Sequence, residues 1–258
     1  MPRTPAWNPL QYLKFERERT LPCRDLVARI ELESPASIAD LGCGPGNSTS
    51  VLAERWPGAR VVGVDSSPEM LRAARRSSVP ADWLLADMRD WSPGHPYDLV
   101  FSNAALQWIP DQGTEIVRLF RSVAAAGAFA MQVPSDKGGW VRAIREVVER
   151  PAWEGLLSKN SADLHRHGLG FYYDLLTPLS RRVDLWETRY VHVLSGPEAV
   201  VEWVKGTALR PVLDRLPEEK ARASFLADYT AEIAKAYPRR KDGKVLFTFL
   251  RRFVIAYR

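Results

Sequence analysis

The sequence is poor in cysteine and histidine and contains no long apolar run. Its 258 residues include two cysteines and four histidines, too few for a disulfide scaffold. His165 and His167 have no cysteine or third ligand at the spacing of a metal site, so we expect no metal. No segment approaches the ~18 apolar residues of a membrane helix, and the first residues lack the apolar core of a signal peptide. We therefore expect a cytoplasmic protein that does not enter a membrane.

The charge is mildly basic and spread along the chain. Lysines and arginines number 36 against 31 acidic residues, which gives a formal net charge of +5. Most basic clusters are scattered pairs such as Arg75-Arg76, whereas nucleic-acid binding favours a basic stripe interleaved with aromatic side chains. We expect no nucleic-acid partner, and a mild positive field helps to recruit an anionic small molecule.

A glycine-rich segment follows the first predicted strand, residues 37–41. Asp40 lies near the end of that strand, and three glycines follow at alternate positions: Gly42, Gly44 and Gly46. Glycine lets the chain turn sharply and lets the backbone approach a ligand. The helix predicted from Ser48 to Arg55 presents unpaired N–H groups and a positive dipole end. The segment predicts a nucleotide-type pocket at the carboxyl end of a strand.

Two residues distinguish this predicted pocket from a dinucleotide-binding site. The dinucleotide fingerprint requires glycine at the position of Asn47. Asp40 would repel a diphosphate but would attract an ammonium group. A ligand with an amino-acid end and an adenosine end is compatible with both Asn47 and Asp40. S-adenosylmethionine is such a ligand. Asp65, 19 positions after Gly46, is expected at the ribose hydroxyls. Asp87 is expected to accept from the adenine amino group, with Met88 on the ring.

Strands and helices alternate through Val133, which predicts a parallel sheet with helices on both faces. The predicted strands are residues 37–41, 60–64, 83–86, 97–101, 128–133, 183–194 and 244–257. We therefore predict an α/β fold with a doubly wound, mostly parallel, seven-stranded sheet and a helical insert that caps the substrate. The predicted single domain, residues 1–258, comprises a helical leader (1–30), a cofactor-binding core (31–134), the insert around strand 183–194 (135–243) and a final strand (244–258).

The motifs at the strand ends together resemble the class I S-adenosylmethionine-dependent methyltransferases, which have a Rossmann-like sheet. The motifs are Asp40-Leu41-Gly42-Cys43-Gly44-Pro45-Gly46, Asp65-Ser66-Ser67-Pro68, Ala86-Asp87-Met88 and Ser102-Asn103-Ala104-Ala105-Leu106-Gln107-Trp108. Over nearly its whole length the chain is also similar to the trans-aconitate methyltransferase family. That likeness rests on Trp7-Asn8-Pro9, Tyr12-Leu13-Lys14-Phe15, Gly46-Asn47-Ser48-Thr49, Asp184-Leu185-Trp186-Glu187-Thr188 and Leu209-Arg210-Pro211.

The resemblance implies a set of cofactor-binding residues, with Asn103 beside the sulfonium. The expected set is Asp40, Gly42, Gly44, Gly46, Asp65, Ser66, Met70, Asp87, Met88 and Asn103. Two positions depart from the family pattern. Leu21 stands where relatives tend to carry arginine, and Val212 stands where they often carry tryptophan. Both positions concern the acceptor, so the acid that is methylated stays open.

The reaction implied is esterification of a carboxylate, most simply of a polycarboxylic acid such as trans-aconitate. A carboxylate is ionised near pH 7 because its reference pKa is about 4, so we expect no catalytic base and assign catalysis to alignment. The remaining carboxylates need cations and hydroxyl donors. The substrate-binding candidates are Tyr12, Arg19, Trp108, Tyr172, Tyr173 and Arg210. A surface salt bridge for Arg210, and packing for the tyrosines, are the alternatives.

Other functions stay open at this point. The chain could be an O- or N-methyltransferase of another small molecule, although a hydroxyl acceptor usually needs a base and no base can be nominated. A nucleic-acid methyltransferase would carry Asn/Asp-Pro-Pro-Tyr after the fourth strand, where this chain has Ser102-Asn103-Ala104-Ala105. A cofactor-binding regulator without turnover is a further alternative. The sequence leaves open whether the chain is a monomer or a homodimer.

Overall fold

The computed structural model describes residues 14–157 and 167–258, and it contains a seven-stranded sheet in the order β3-β2-β1-β4-β5-β7-β6. The strands are β1 (Ser37–Leu41), β2 (Arg60–Asp65), β3 (Asp82–Leu85), β4 (Tyr97–Asn103), β5 (Val123–Pro134), β6 (Arg182–Leu194) and β7 (Val245–Tyr257). Strands β1 to β5 pair in parallel, and β7 pairs antiparallel with β5. The predicted fold class is confirmed.

Helices separate these strands along the described part of the chain. They are α1 (Glu16–Ala28), α2 (Asn47–Arg55), α3 (Pro68–Ala74), α4 (Gln112–Arg121), α5 (Gly139–Val148), α6 (Leu169–Leu176), α7 (Pro197–Lys205), α8 (Arg210–Leu213) and α9 (Glu219–Ala236). In the described ranges, short 3-10 turns lie at Leu106–Trp108, Pro151–Trp153 and Thr177–Leu179. Among the helices in the described ranges, none has the length and apolarity needed to cross a membrane.

The strand order reverses at β1, which lies between β2 and β4. Asp40 pairs with Gly63 of β2 and with Phe101 of β4. The carboxyl ends of these three strands therefore lie side by side. In an open parallel sheet, this switch point is where ligands bind.

Side-chain caps stabilise the first turns of two helices, α3 and α4, that begin near this edge of the sheet. Ser67 caps α3 by accepting from the Met70 N–H at 3.3 Å, and Pro68 occupies the first helical position. Asp111 caps α4 by accepting from the Thr114 N–H at 3.3 Å. A capping side chain satisfies a backbone donor that the first helical turn leaves unpaired.

A buried apolar cluster holds α4 and α6 to the sheet. Its members include Ile116 and Leu119 of α4, Tyr172 and Leu176 of α6, and Phe129, Met131, Val133 and Val254 of the strands. The central strands are nearly continuous runs of apolar residues, because a parallel sheet is covered on both faces.

The chain divides into two compact units. The first comprises residues 1–134, 165–187 and 251–258, and the second comprises residues 135–164 and 188–250. Within the second unit, Trp140 of α5 stacks on Phe249 with ring centroids 5.1 Å apart, and the Tyr229 hydroxyl of α9 donates to the Trp140 carbonyl. The second unit thus differs from the predicted insert 135–243, and the prediction of a single domain stays a prediction.

Two elements differ from the sequence prediction. β5 begins at Val123 instead of Ala128, because Val123 already pairs with Tyr97 of β4 before a shift in register. Ala126 lies between the two paired parts of the strand and adopts a left-handed conformation (φ 63°). The short helix α8 was not predicted, and Pro211 lies in its first turn, where proline fits because that turn leaves its N–H groups unpaired.

Candidate active site

A cavity of about 350 Å³ opens at the carboxyl ends of β1, β2 and β4, within the first unit. Backbone and side chains from five stretches line it: Arg19, Thr20 and Cys23; Gly42 to Pro45, Asn47 and Ser48; Val64 to Ser66 and Met70; Ala86 to Arg89; and Asn103 to Ala105 with Trp108 to Pro110. The strand ends that the sequence motifs mark are thus brought together around one space.

The glycine loop, which contains Gly42, Gly44 and Gly46, forms one wall of the cavity. The three glycines have different structural roles. The N–H groups of Gly42 and Cys43 donate to the Val64 carbonyl at 2.8 and 3.1 Å, which ties the loop to β2. A Cβ at Gly42 would lie 2.3 Å from the Cβ of Ala105, so glycine is required by close packing. A Cβ at Gly44 would meet no heavy atom within 4 Å, so the backbone of Gly44 faces open space.

Gly46 does not line the cavity. It precedes α2 in a left-handed conformation (φ 98°), and a Cβ there would lie 3.0 Å from the Trp83 ring. Its role in the structure is to begin the helix, and a direct contact with a ligand stays a prediction.

Asp65 lines the cavity and also organises the loop beside it. Its Oδ2 accepts from the Gly44 N–H at 2.9 Å, and its Oδ1 accepts from the Ser67 N–H at 2.8 Å. Burial raises the pKa of the Asp65 carboxyl, and these backbone donors oppose the shift. A carboxylate oxygen accepts more than one hydrogen bond, so Asp65 can hold the loop and still accept from hydroxyl groups of a ligand. Ser66 and Met70, also predicted, line the same side.

Asp40 lies behind the cavity wall and does not line it. The carboxyl is fully buried, and its Oδ2 accepts from the hydroxyls of Ser48 and Thr49, each at 2.7 Å. Its Oδ1 is buried without a hydrogen-bond partner in the part of the chain that the structure describes. Burial raises the pKa of Asp40 to about 6. Ser48 lines the cavity, so Asp40 contacts the wall from behind through the hydroxyl of Ser48.

The loop after β3 supplies Asp87, Met88 and Arg89. The Arg89 guanidinium contacts both oxygens of Asp87, with distances of 2.6 to 3.1 Å, and this pairing lowers the pKa of the Asp87 carboxyl. Arg118 of α4 braces the loop from behind, since its guanidinium donates to the carbonyls of Met88 and Trp91. Sequence reasoning missed Arg89 and Arg118, and the Ala86-Asp87-Met88 motif gave no signal for either.

The segment after β4 forms the opposite wall. Ala104 adopts a left-handed conformation (φ 55°), which bends the chain at the strand end into the 3-10 turn Leu106–Trp108. The Asn103 Oδ1 is buried and has no hydrogen-bond partner among the described residues. Trp108 lines the cavity together with Ile109 and Pro110. The predicted Asn103 and Trp108 therefore lie on one wall.

Helix α1 contributes the remaining wall. Arg19 is 8% exposed and lines the cavity with Thr20 and Cys23. Burial raises the pKa of the Cys23 thiol well above its ordinary value, so the thiol stays protonated at neutral pH. Sequence reasoning identified Arg19 and missed its two neighbours, for which the sequence carries no motif.

Among the other predicted acceptor residues, Tyr172 and Tyr173 do not line the cavity. Tyr172 is fully buried in the apolar cluster, and Tyr173 is 48% exposed. Arg210 begins α8 in the second unit. Tyr12 lies outside the described residues, as does His165. A substrate contact by any of these residues stays a prediction.

The chemistry of the wall fits a donor with an amino-acid end and an adenosine end. Gly44 offers backbone beside open space, Asp65 offers carboxylate oxygens, and Asn103 holds a buried oxygen that has no donor in the described ranges. Acceptor atoms of this kind suit ammonium and hydroxyl donors. Groups of three or more His, Cys, Asp or Glu that could hold a metal are absent from the described residues.

Comparison with known proteins gives the class. A family model described as "Methyltransferase domain" matches residues 38–127. A putative methyltransferase from Bacillus halodurans superposes with a TM-score of 0.57 at 15% identity, covering 91% of this chain and 97% of that chain. The plantazolicin methyltransferase BpumL, solved with SAH, gives a TM-score of 0.53 at 15% identity, covering 97% and 88%. These structures share the fold. The protein is a class I, S-adenosylmethionine-dependent methyltransferase.

Relatives matched over nearly the full chain give the family. Trans-aconitate 2-methyltransferase of Azoarcus sp. (strain BH72) is 46% identical over 254 residues, which cover 98% of this chain and 100% of that protein. The protein of the same name from Rhodopseudomonas palustris (strain BisB18) is 48% identical over 257 residues, covering 97% and 98%. The chain belongs to the trans-aconitate 2-methyltransferase family, and it is an enzyme.

Proposed function

We propose that this enzyme transfers a methyl group to a carboxylate of a small polycarboxylic acid, with trans-aconitate as the first candidate. Family membership supports the proposal most strongly. The relatives that match nearly the full chain are named trans-aconitate 2-methyltransferase. The cavity adds a buried arginine, Arg19, to a wall that suits a methyl donor. A cytoplasmic location is part of the same proposal.

The residues that would hold the donor are those of the glycine loop and the neighbouring strand ends. Gly42 and Gly44 would lie against its amino-acid part, Asp65 would accept from ribose hydroxyls, and Asp87 and Met88 would contact the adenine. When bound, the donor supplies an electrophilic methyl group on a positively charged sulfur. Asn103 would keep an amide oxygen on this wall, and the negative charge of Asp40 behind the wall would favour a cationic ligand.

No residue of the chain needs to remove a proton from the acceptor. A carboxylate with a reference pKa near 4 is already ionised at pH 7. Neither Asp40 nor Asp65 is positioned as a base, because both carboxylates are engaged in holding the loop and α2. The task of the protein is therefore alignment, and alignment of two reactants can supply a large part of the rate.

Arg19 is the cation best placed to hold a carboxylate that does not react, because its side chain lines the cavity. A guanidinium binds a carboxylate through two parallel hydrogen bonds, which fixes orientation as well as affinity. Trp108 would form an apolar wall for the carbon skeleton. Arg210, Tyr12 and Tyr173 remain candidates from the family motif and the sequence.

A panel of acceptors tests the proposal. The purified enzyme is given donor with a labelled methyl group and one acid at a time: trans-aconitate, its cis isomer, a saturated tricarboxylate, a dicarboxylate, and a phenol and an amine as controls. We expect kcat/KM to be highest for trans-aconitate and to fall when one carboxylate is removed. Transfer to the phenol or the amine in preference to every acid would replace the proposal with that of another small-molecule methyltransferase.

A further inference from the structure

The wall segment from Asn103 to Pro110 depends on a short turn for its shape. This segment supplies six of the residues that line the cavity: Asn103, Ala104, Ala105, Trp108, Ile109 and Pro110. The turn is closed by the Ile109 N–H, which donates to the Leu106 carbonyl at 3.0 Å. A single 3-10 turn has few internal hydrogen bonds and poor hydrogen-bond geometry, so it needs support from outside.

That support comes from Gln112, the first residue of α4. Its Nε2 donates to the same Leu106 carbonyl at 2.8 Å. Its Oε1 in turn accepts from the Tyr172 hydroxyl at 2.9 Å. Leu106 and Tyr172 are fully buried, and Gln112 is 1% exposed. A chain of two buried hydrogen bonds thus runs from α6 through α4 to the turn.

The Leu106 carbonyl decides which way the Gln112 amide faces, because a carbonyl oxygen only accepts. A side-chain amide has one oxygen that only accepts and one nitrogen that only donates, so only one orientation can satisfy the Leu106 carbonyl. This orientation places the amide oxygen towards α6, where the Tyr172 hydroxyl donates to it. Removing the hydroxyl would remove this buried hydrogen bond, and losing a buried hydrogen bond is costly in an apolar core.

We propose that Tyr172 is a positioning residue of the active site, acting through Gln112 on the turn Leu106–Trp108 that carries Trp108 and Ile109 to the cavity. This role is distinct from the direct substrate contact expected from the sequence, which stays a prediction. It rests on the proposed methyl transfer for its effect on activity, but its effect on the wall can be measured without any substrate.

The test compares Tyr172→Phe, Gln112→Met and the double variant with the wild-type enzyme. Phenylalanine keeps the buried ring and removes only the hydroxyl, and methionine fills the space of Gln112 without a donor or an acceptor. The matched control is Tyr97→Phe, since Tyr97 is a buried tyrosine of the same apolar cluster at the opposite end of β4. Hydrogen exchange of peptides spanning residues 103–112 is followed by mass spectrometry, and kcat/KM is measured with the best acid.

Loss of one buried hydrogen bond predicts about threefold to tenfold faster exchange in residues 103–112 for Tyr172→Phe. We expect kcat/KM to fall by a similar factor, with neither change in Tyr97→Phe. Because Tyr172 acts through Gln112, Tyr172→Phe should add nothing in the Gln112→Met background.

Three results would overturn the assignment. One is unchanged exchange in residues 103–112 of Tyr172→Phe, and another is additive effects of the two substitutions. A third is faster exchange throughout the chain, which would show general destabilisation. If wild-type enzyme methylates no acid, the proposed function fails, whereas the exchange measurements still decide whether Tyr172 positions the wall.

Discussion

Asp40 is a buried carboxylate with a raised pKa, and replacing it by asparagine should change how stability depends on pH. Its carboxyl is fully buried, and its pKa is about 6 against an ordinary value of 3.8. The folded protein therefore binds a proton at Asp40 more tightly than the unfolded chain does. Asparagine has nearly the same shape and can still accept from Ser48 and Thr49, but it cannot be ionised.

The sign and size of the effect follow from linkage. Above pH 6 the folded protein carries the buried charge, which costs about 3 kcal/mol because one pH unit corresponds to about 1.4 kcal/mol. As the pH falls through 6 the folded state takes up a proton while the unfolded chain stays ionised, so the wild-type protein gains stability. Between pH 7.5 and pH 5 the gain relative to Asp40→Asn should be about 1 kcal/mol.

Urea unfolding at the two pH values measures this difference. The free energy of unfolding of wild type minus that of Asp40→Asn should rise by about that amount when the pH is lowered to 5, because titration of all other groups cancels. Asp242→Asn, at an exposed position, serves as the control and should show no such rise. A wild-type advantage that stays constant, or that shrinks at pH 5, would refute the assignment of a raised pKa to Asp40.

Three further substitutions probe the site. Asp65→Ala should weaken binding of S-adenosylhomocysteine by about 1–3 kcal/mol; unchanged affinity by calorimetry would remove Asp65 from the ribose site. Arg118→Lys loses the planar fork that braces the Met88 and Trp91 carbonyls, so donor affinity should fall several-fold while the KM for acid at saturating donor is kept; equal donor affinity would contradict this role. Arg210→Ala should raise the KM for acid but not for donor, and an unaltered KM for acid refutes a substrate contact.

Most of the sheet could be predicted because its signals are local. The bounds of β1 and the cap at Ser67 follow from apolar runs and turn chemistry, which a few adjacent residues determine. The start of β5 could not be predicted in the same way. The left-handed Ala126 and the irregular register beside β4 depend on pairing with a distant strand, and an alanine-rich stretch carries no sign of either.

The lining of the cavity was predictable only where strand ends carry motifs. Asp65, Met88 and Asn103 line it as expected, because parallel strands bring their carboxyl ends to one edge. Cys23 and Arg89 were missed because no spacing rule marks a helix face or a loop residue that meets this edge through tertiary packing.

Asp40 and Tyr172 show the limit of assigning a role from residue type. The sequence places Asp40 beside the glycine loop, but α2 supplies two hydroxyls that hold its carboxyl behind the wall. Tyr172 has a hydroxyl suited to a substrate, but the apolar cluster of α4 and α6 buries it against Gln112. In both cases a helix distant in sequence decides which group the polar atom meets.

The identity of the methylated product tests the central claim most directly. Purified enzyme is incubated with trans-aconitate and a donor carrying an isotopically labelled methyl group, and the acid is recovered and analysed by mass spectrometry before and after mild alkali. The account predicts one labelled methyl group per acid, released by alkali as expected for an ester. Recovery of unlabelled acid from enzyme that binds the donor, or a labelled product that alkali leaves intact, would contradict it.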